Sequence, residues 1–200
     1  SSSSALIVQC ILENNTSGDF GGAVGVRGTG SPQFINCIFR NNGTGEGIAV
    51  KPLGGGALFV RDGTPLLVNC LFDNNRAGEG GVLLVVEGLP TFINCTMVNN
   101  QATIGYGGAI FDKDGRVTLK NCIVWNNVTT RGVGDADQIF SGSGGTTLAT
   151  YSDIQGGWTT GSNNLNVDPQ FTNPAGGNYL LQSTSQCKNA GETNALPPDA

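Results

Sequence analysis

The sequence predicts an all-β solenoid, and three observations carry that prediction. An eight-residue phrase returns five times, at Val8–Asn15, Ile35–Asn42, Val68–Asn75, Ile93–Asn100 and Lys120–Asn127, with cysteines 27, 33, 25 and 27 residues apart. Self-similarity at a period of roughly 20 to 50 residues marks coils that rest on their neighbours. A Gly-Gly phrase precedes each of the last four cysteines, at Gly21-Gly22-Ala23, Gly55-Gly56-Ala57, Gly80-Gly81-Val82 and Gly107-Gly108-Ala109. Composition agrees. Glycine is 32 of 200 residues and charged residues only 12%, unlike a helical protein, while 38% apolar content is too much for disorder.

Aligned on the cysteine, the column three residues earlier reads Ile7, Phe34, Leu67, Phe92 and Leu119, and the column two later reads Leu12, Phe39, Phe72, Met97 and Val124. Short apolar segments with β-branched and aromatic residues, and no 3.6-residue stripe, predict strands. The paired glycines permit a tight corner with positive φ, and the Ala or Val after them starts another inward strand. Pro32, Pro65 and Pro90 fall five residues before their cysteines, in the bend between two strands. Each coil is therefore expected to run from a Gly-Gly strand through a proline bend to a strand through the cysteine, ending at an Asn-Asn corner. That is a parallel β-helix.

Equivalent residues of stacked coils lie about 4.8 Å apart, so like residues form ladders. The pairs Asn14-Asn15, Asn41-Asn42, Asn74-Asn75, Asn99-Asn100 and Asn126-Asn127 are expected to bond amide to amide up the stack. The column Gln9, Asn36, Asn69, Asn94 and Asn121 should do the same at another bend. Glu13, Arg40 and Asp73 alternate in sign on an outward column, which helps to fix register. The column Cys10, Cys37, Cys70, Cys95 and Cys122 reads as interior thiols behaving as small apolar groups. Disulfides between neighbouring coils, such as Cys10–Cys37 or Cys70–Cys95, are the alternative. Cys187 lies outside the column. The spacing resembles no metal motif, and the chain has no histidine.

Residues 1–130 are thus read as coils, 131–150 as a Gly/Ser/Thr-rich loop or irregular coil, and 151–200 as a terminal coil and capping segment. Phe171, Tyr179, Leu180 and Leu181 are expected to cover the open end of the stack. In all, about five to seven coils are expected. The start at Ser1, and a first coil within about five residues of it, suggest a removed signal peptide or a piece of a longer protein. A net charge of −5 argues against nucleic acid as a partner. No apolar run approaches the roughly 20 residues of a membrane helix, so no membrane insertion by this segment is expected.

The Gly-Gly-Ala-Val/Leu/Ile phrase together with Phe39-x-x-Asn42 and Phe72-x-x-Asn75 resembles the repeats of chlamydial polymorphic outer-membrane proteins. It looks like the wider group of bacterial secreted right-handed parallel β-helix repeat proteins. The Asp168-Pro169-Gln170-Phe171, Asn178-Tyr179-Leu180-Leu181 and Ser185–Gly191 stretches are similar to a terminal module of that group, usually DPxF, DYxL and SPxxDAG. Here Gln186 stands for the Pro and Asn189 for the Asp. The resemblance implies a right-handed coil and an exported, surface-attached or extracellular setting. It says little about activity, since this fold carries adhesins, lyases and fibres alike.

Carboxylate catalysis needs two acids facing one cleft, roughly 5–10 Å apart. The nearest candidates are Asp112 with Asp114, beside Arg116, and Asp135 with Asp137. Asp112-Lys113-Asp114-Gly115 reads first as a β-turn; Asp112 and Asp114 are also a weak Ca²⁺ candidate, without a full ligand set. No catalytic residue is assigned and no other cofactor is expected. Trp125, expected to point outward, Trp158 and Tyr106 are candidate glycan contacts, with loop packing as the plainer explanation. Asn-x-Ser/Thr sequons stand at Asn14, Asn15, Asn42, Asn94 and Asn127. Those at the Asn-Asn corner read as outward. The expected function is a non-catalytic extracellular structural or adhesive domain, self-associating end to end or engaging glycans. A polysaccharide-binding or lyase-type domain is the alternative.

Overall fold

The computed structural model describes residues 4–45, 54–130 and 138–194. They wind as a parallel β-helix with four sheets along its sides. Sheet A stacks Leu6–Val8, Gln33–Ile35, Leu66–Val68, Thr91–Ile93, Arg116–Lys120, Thr146–Thr150 and Gly161–Ser162. Sheet B stacks Ile11–Glu13, Ile38–Arg40, Leu71–Asp73, Thr96–Val98, Ile123–Trp125 and Asp153–Ile154. The short sheet C begins at Thr16–Ser17 and ends at Val128–Thr129. Sheet D runs from Val24–Arg27 to Ile139–Ser141. Sheets C and D each hold five strands among the described residues, which sets about five turns.

The strand does not run through the cysteine as expected. The residue before it sits at φ 53–55° in every coil (Gln9, Asn36, Asn69, Asn94, Asn121), and this left-handed residue breaks one strand into two. Asparagine tolerates that conformation better than other residues with a side chain. The first residue of each Asn-Asn pair does the same at the next corner, with φ 52–57° at Asn14, Asn41, Asn74, Asn99 and Asn126. A single αL residue turns the chain without breaking the ladder, since Asn36 N still donates to Val68 O at 3.0 Å and Asn41 N to Asp73 O at 3.1 Å. The residue after each bend then points inward.

Consequently the second asparagine of each pair is buried rather than displayed. Asn42, Asn75, Asn100 and Asn127 are 0–1% exposed. In each, Nδ2 donates to the carbonyl oxygen of the neighbouring coil (Leu12, Phe39, Phe72 and Met97, at 2.8–3.1 Å). In Asn42, Asn75 and Asn100 the main-chain N–H and Nδ2 both donate to the next asparagine's Oδ1, at 2.8–3.0 Å. Gln138 ends the column: its Oε1 accepts from Asn127 N and Nδ2, and its Nε2 returns a bond to Asn127 O. Outside, Asn74 Nδ2 reaches Asn41 Oδ1 at 2.7 Å and Asn126 Nδ2 reaches Asn99 Oδ1 at 2.6 Å. The sequons at Asn42 and Asn127 therefore lie in the core, not on the outside, because the αL bend precedes them.

The two predicted apolar columns face each other inside. Phe34, Leu67, Phe92 and Leu119 from sheet A and Phe39, Phe72, Met97 and Val124 from sheet B are all at most 3% exposed. Phe39 and Phe72 stack with centroids 4.8 Å apart. Cys37, Cys70, Cys95 and Cys122 are buried and free. Each Sγ lies 3.3–3.6 Å from two carbonyl oxygens, one on its own coil and one on the neighbour. The disulfide alternative is not realised. Equivalent side chains point in parallel, so their sulfurs stack at about the strand spacing of 4.8 Å, not the roughly 2.05 Å of a bond. Burial pushes Cys37 up and Cys95 well up from the ordinary thiol value.

The three middle strands of sheet D, Leu58–Arg61, Leu83–Val85 and Ile110–Asp112, are buried on both faces. Leu58, Leu83 and Ile110 point into the core, while Phe59, Leu84 and Phe111 form a second cluster with Phe20, Val86 and Phe140. The first corner glycines have φ 59–74°, and a Cβ on Gly22, Gly56 or Gly81 would run into main-chain atoms of a neighbouring coil. The charge column is half as expected. Arg40 pairs with Glu13 at 2.6 Å, but the Asp73 carboxylate accepts from Tyr179 and Asn99 instead. Within 131–150, residues 131–137 lie outside the described residues, while Ile139–Ser141 and Thr146–Thr150 are strands of sheets D and A. Their polar composition yields to main-chain bonds such as Thr146 N to Gly115 O. No helix among the described residues is long and apolar enough to cross a membrane.

Two outcomes test this architecture. Asn100→Ala leaves the main-chain N–H of Asn75 and one of its two Nδ2 hydrogens without the Asn100 Oδ1 acceptor, so it should lower unfolding free energy by about 3 kcal/mol or more, read from urea titration. A thiol-reactive dye should modify Cys10 at once, and Cys37, Cys70, Cys95 and Cys122 only after unfolding.

Candidate ligand-binding crevice

The segment expected to cover the end of the stack lies against the side of sheet B instead. Phe171–Asn173 and Asn178–Leu181 form an antiparallel hairpin around the 3₁₀ turn Pro174–Gly176. Asn173 Oδ1 accepts from Gly176 N at 3.1 Å, and Gly177, at φ 74°, reverses the chain. The hairpin docks through Tyr179, whose hydroxyl donates to Asp73 Oδ1 at 2.9 Å and accepts from Asn99 Nδ2 at 2.9 Å. Burial, and the carboxylate beside it, push the Tyr179 phenol up from its ordinary value, so it stays a donor. Phe171 packs edge-on against Tyr179 at 5.3 Å. The physical reason for this docking is Asp73: a charge on a strand face needs partners, and the hairpin brings one.

Two further anchors hold the segment. Asn121 Oδ1 accepts from Glu192 N at 2.8 Å and its Nδ2 donates to Glu192 O at 3.0 Å. Asp153, 3% exposed, accepts from Val167 N at 3.0 Å and from Cys187 Sγ at 3.2 Å. Burial raises the Asp153 carboxyl, with the Val167 N–H opposing, and burial together with Asp153 pushes Cys187 up to about 12.

Between hairpin and sheet B lies a crevice of about 340 Å³. Trp125, half-buried at the end of Ile123–Trp125 and just before the αL Asn126, forms part of its wall with Phe171 and Pro174. Asn126, Asp168, Gln170 and Gln182 supply polar groups, and Asp168 is the single acid in the lining. Asp168 Oδ1 is held by Gln170 N at 2.9 Å, with Gln170 at φ 53°. Gln182 Nε2 donates to Phe171 O at 3.1 Å. One acid cannot perform two-carboxylate chemistry, but an aromatic wall beside amides can hold a polar ligand that has an apolar face.

The other sequence candidates do not join this site. Trp158 packs against the main core, and its Nε1 donates to Thr147 O at 2.9 Å, so it is a packing residue, not a sugar platform. Tyr106 stacks on Phe140 at 4.2 Å over the outer cluster of sheet D, again not a free face. Asp112 is fully buried on the inward column of Ile110–Asp112, and its Oδ1 closes the predicted turn by accepting from Gly115 N at 2.9 Å. Burial raises its carboxyl. Asp114 and Arg116 are exposed, and neither forms a salt bridge among the described residues. No group of three His, Cys, Asp or Glu able to hold a metal occurs among the described residues. Asp135 and Asp137 lie outside them. Tyr179, Gln170 and Gln182 escaped sequence reasoning; the aromatics of the DPQF and NYLL stretches were visible, but not their docking place.

The profile described as "Right handed beta helix region" matches residues 1–154. The chain belongs to that family, and its coil is right-handed. Searches of curated proteins and of solved structures each returned no match.

Raised carboxyls give a signed prediction. Folded Asp112 binds its proton more tightly than the unfolded chain does, so its contribution is fullest below the ordinary carboxylate pKa and is lost as pH rises through the raised value. Between about pH 4 and 7, Tm of Asp112→Asn should fall less, or rise more, than that of the wild type in a thermal melt.

Proposed function

We propose that this member of the right-handed β-helix family is a non-catalytic, extracellular structural or adhesive domain, a rigid rod segment. The observation that carries the reading is the use to which its recurring residues are put. The buried asparagines, the cysteines and the stacked phenylalanines bond or pack along the axis, coil upon coil. A repeat built this way specifies shape and leaves chemistry to whatever its flanks carry. The exported setting draws its support from the likeness to secreted bacterial repeat proteins. End-to-end self-assembly into a surface fibre belongs to the same proposal, because coil stacking is self-complementary.

The crevice beside Trp125 favours glycan binding as the adhesive form of this function over a lyase-type activity, since its lining holds one acid and no Lys or Arg. Electron microscopy of purified protein, with a near-ultraviolet assay for unsaturated sugar from polyuronates, tests the reading. Rods or filaments without sugar release are expected. Release of unsaturated product would overturn the non-catalytic assignment.

A further inference from the structure

We infer that the crevice between sheet B and the C-terminal hairpin binds a short neutral saccharide, with a pyranose face laid on Trp125. The inference rests on the adhesive reading above and gives it a site and a ligand class. The crevice volume of about 340 Å³ falls at the small end of ligand pockets, roughly 300–1,000 Å³, with room for a one- or two-ring sugar.

The lining selects the chemistry. Trp125 and Phe171 supply aromatic surface for the C–H face of a sugar ring. Asn126, Gln170 and Gln182 supply amides, which donate and accept as sugar hydroxyls do. A purely apolar ligand would bury the amide atoms that the protein does not itself bond, such as Asn126 Oδ1, without a partner. An anionic sugar or a phosphate would meet Asp168 and no cation in the lining, in a chain of net charge −5. A neutral sugar satisfies all three constraints.

The polar groups are also positioned in advance. Asn126 Nδ2 is fixed to Asn99 Oδ1 at 2.6 Å, while its Oδ1 accepts no protein hydrogen bond among the described residues. Gln170 Oε1 is held by Thr184 Oγ1 at 2.8 Å, and Gln182 N donates to Gln170 O at 3.0 Å. The hairpin itself is locked to the coils by Tyr179. Such preorganisation lowers the ordering cost that weakens small-ligand binding.

The test is titration calorimetry with maltotetraose, cellotetraose, mannotetraose and fully N-acetylated chitotetraose, and with a heparin tetrasaccharide as the anionic comparison. At least one neutral sugar should bind. Trp125→Ala should weaken it about tenfold or more and Trp125→Phe by less, with Trp158→Phe unchanged. The Phe variant keeps the test open should the Ala variant fail to fold. Absence of binding by all four neutral sugars at millimolar concentration would overturn the inference. So would affinity within twofold of wild type in Trp125→Ala, or preference for the heparin fragment. Those failures leave the sugars uncleaved, whereas failure of the underlying reading would show as turnover.

Discussion

At both αL corners of a coil an asparagine or glutamine turns the chain through a φ near 55°, and the whole interior of the solenoid depends on the residue that comes directly after that bend. Because one left-handed residue reverses the facing of its successor, cysteine after the first corner and asparagine after the second point inward. Cysteine behaves there as a small apolar group. Asparagine does not: a buried amide needs partners for every donor and acceptor. It finds them only when another coil with the same corner lies at the strand spacing above and below. The polar ladder is therefore a register device. A coil displaced by one residue would bury an apolar strand residue against unsatisfied amides and turn its own asparagine toward solvent.

The apolar columns depend on this register. With corners fixed, the residues two or three positions away are brought face to face, and Phe34, Phe39, Phe72 and Phe92 pack as alternating stacked and edge-on rings. Sheet D obeys a different constraint. Its middle strands are buried on both faces, as parallel strands usually are, so their residues read as an apolar run rather than an alternation. The glycines before it are required by space as much as by φ, since main chain of the next coil occupies the place of a side chain.

The crevice proposed to bind ligand sits on the flank, where the repeat breaks down. Asp73 and Asn99 belong to repeating columns, yet Tyr179, which uses them both, comes from a hairpin about a hundred residues on in sequence. Trp125 likewise occupies a column held elsewhere by Glu13, Arg40, Asp73 and Val98. The departure from the repeat becomes a wall of the crevice because the hairpin docks beside it.

The solenoid, both inward columns, the glycine corners and the ladder at the Asn-Asn corner were all legible in the amino-acid sequence. These are local patterns, and repetition at a fixed period makes each coil predict its neighbours. The ladder expected along Gln9, Asn36, Asn69, Asn94 and Asn121, by contrast, shows one amide bond among the described residues, from Asn121 Nδ2 to Asn94 Oδ1. Sequence reasoning misplaced the second asparagine, running the strand through the cysteine, because a single αL residue leaves no mark beyond the asparagine itself, which also reads as a turn former or ladder residue. It left disulfides open, since spacing alone does not say whether sulfurs stack or meet. The folded chain was needed to show Gln138 ending the inner ladder, Trp158 and Tyr106 turned to packing, and the hairpin against sheet B. Those contacts join segments with no common period, so nothing in the local sequence records which surface each will find.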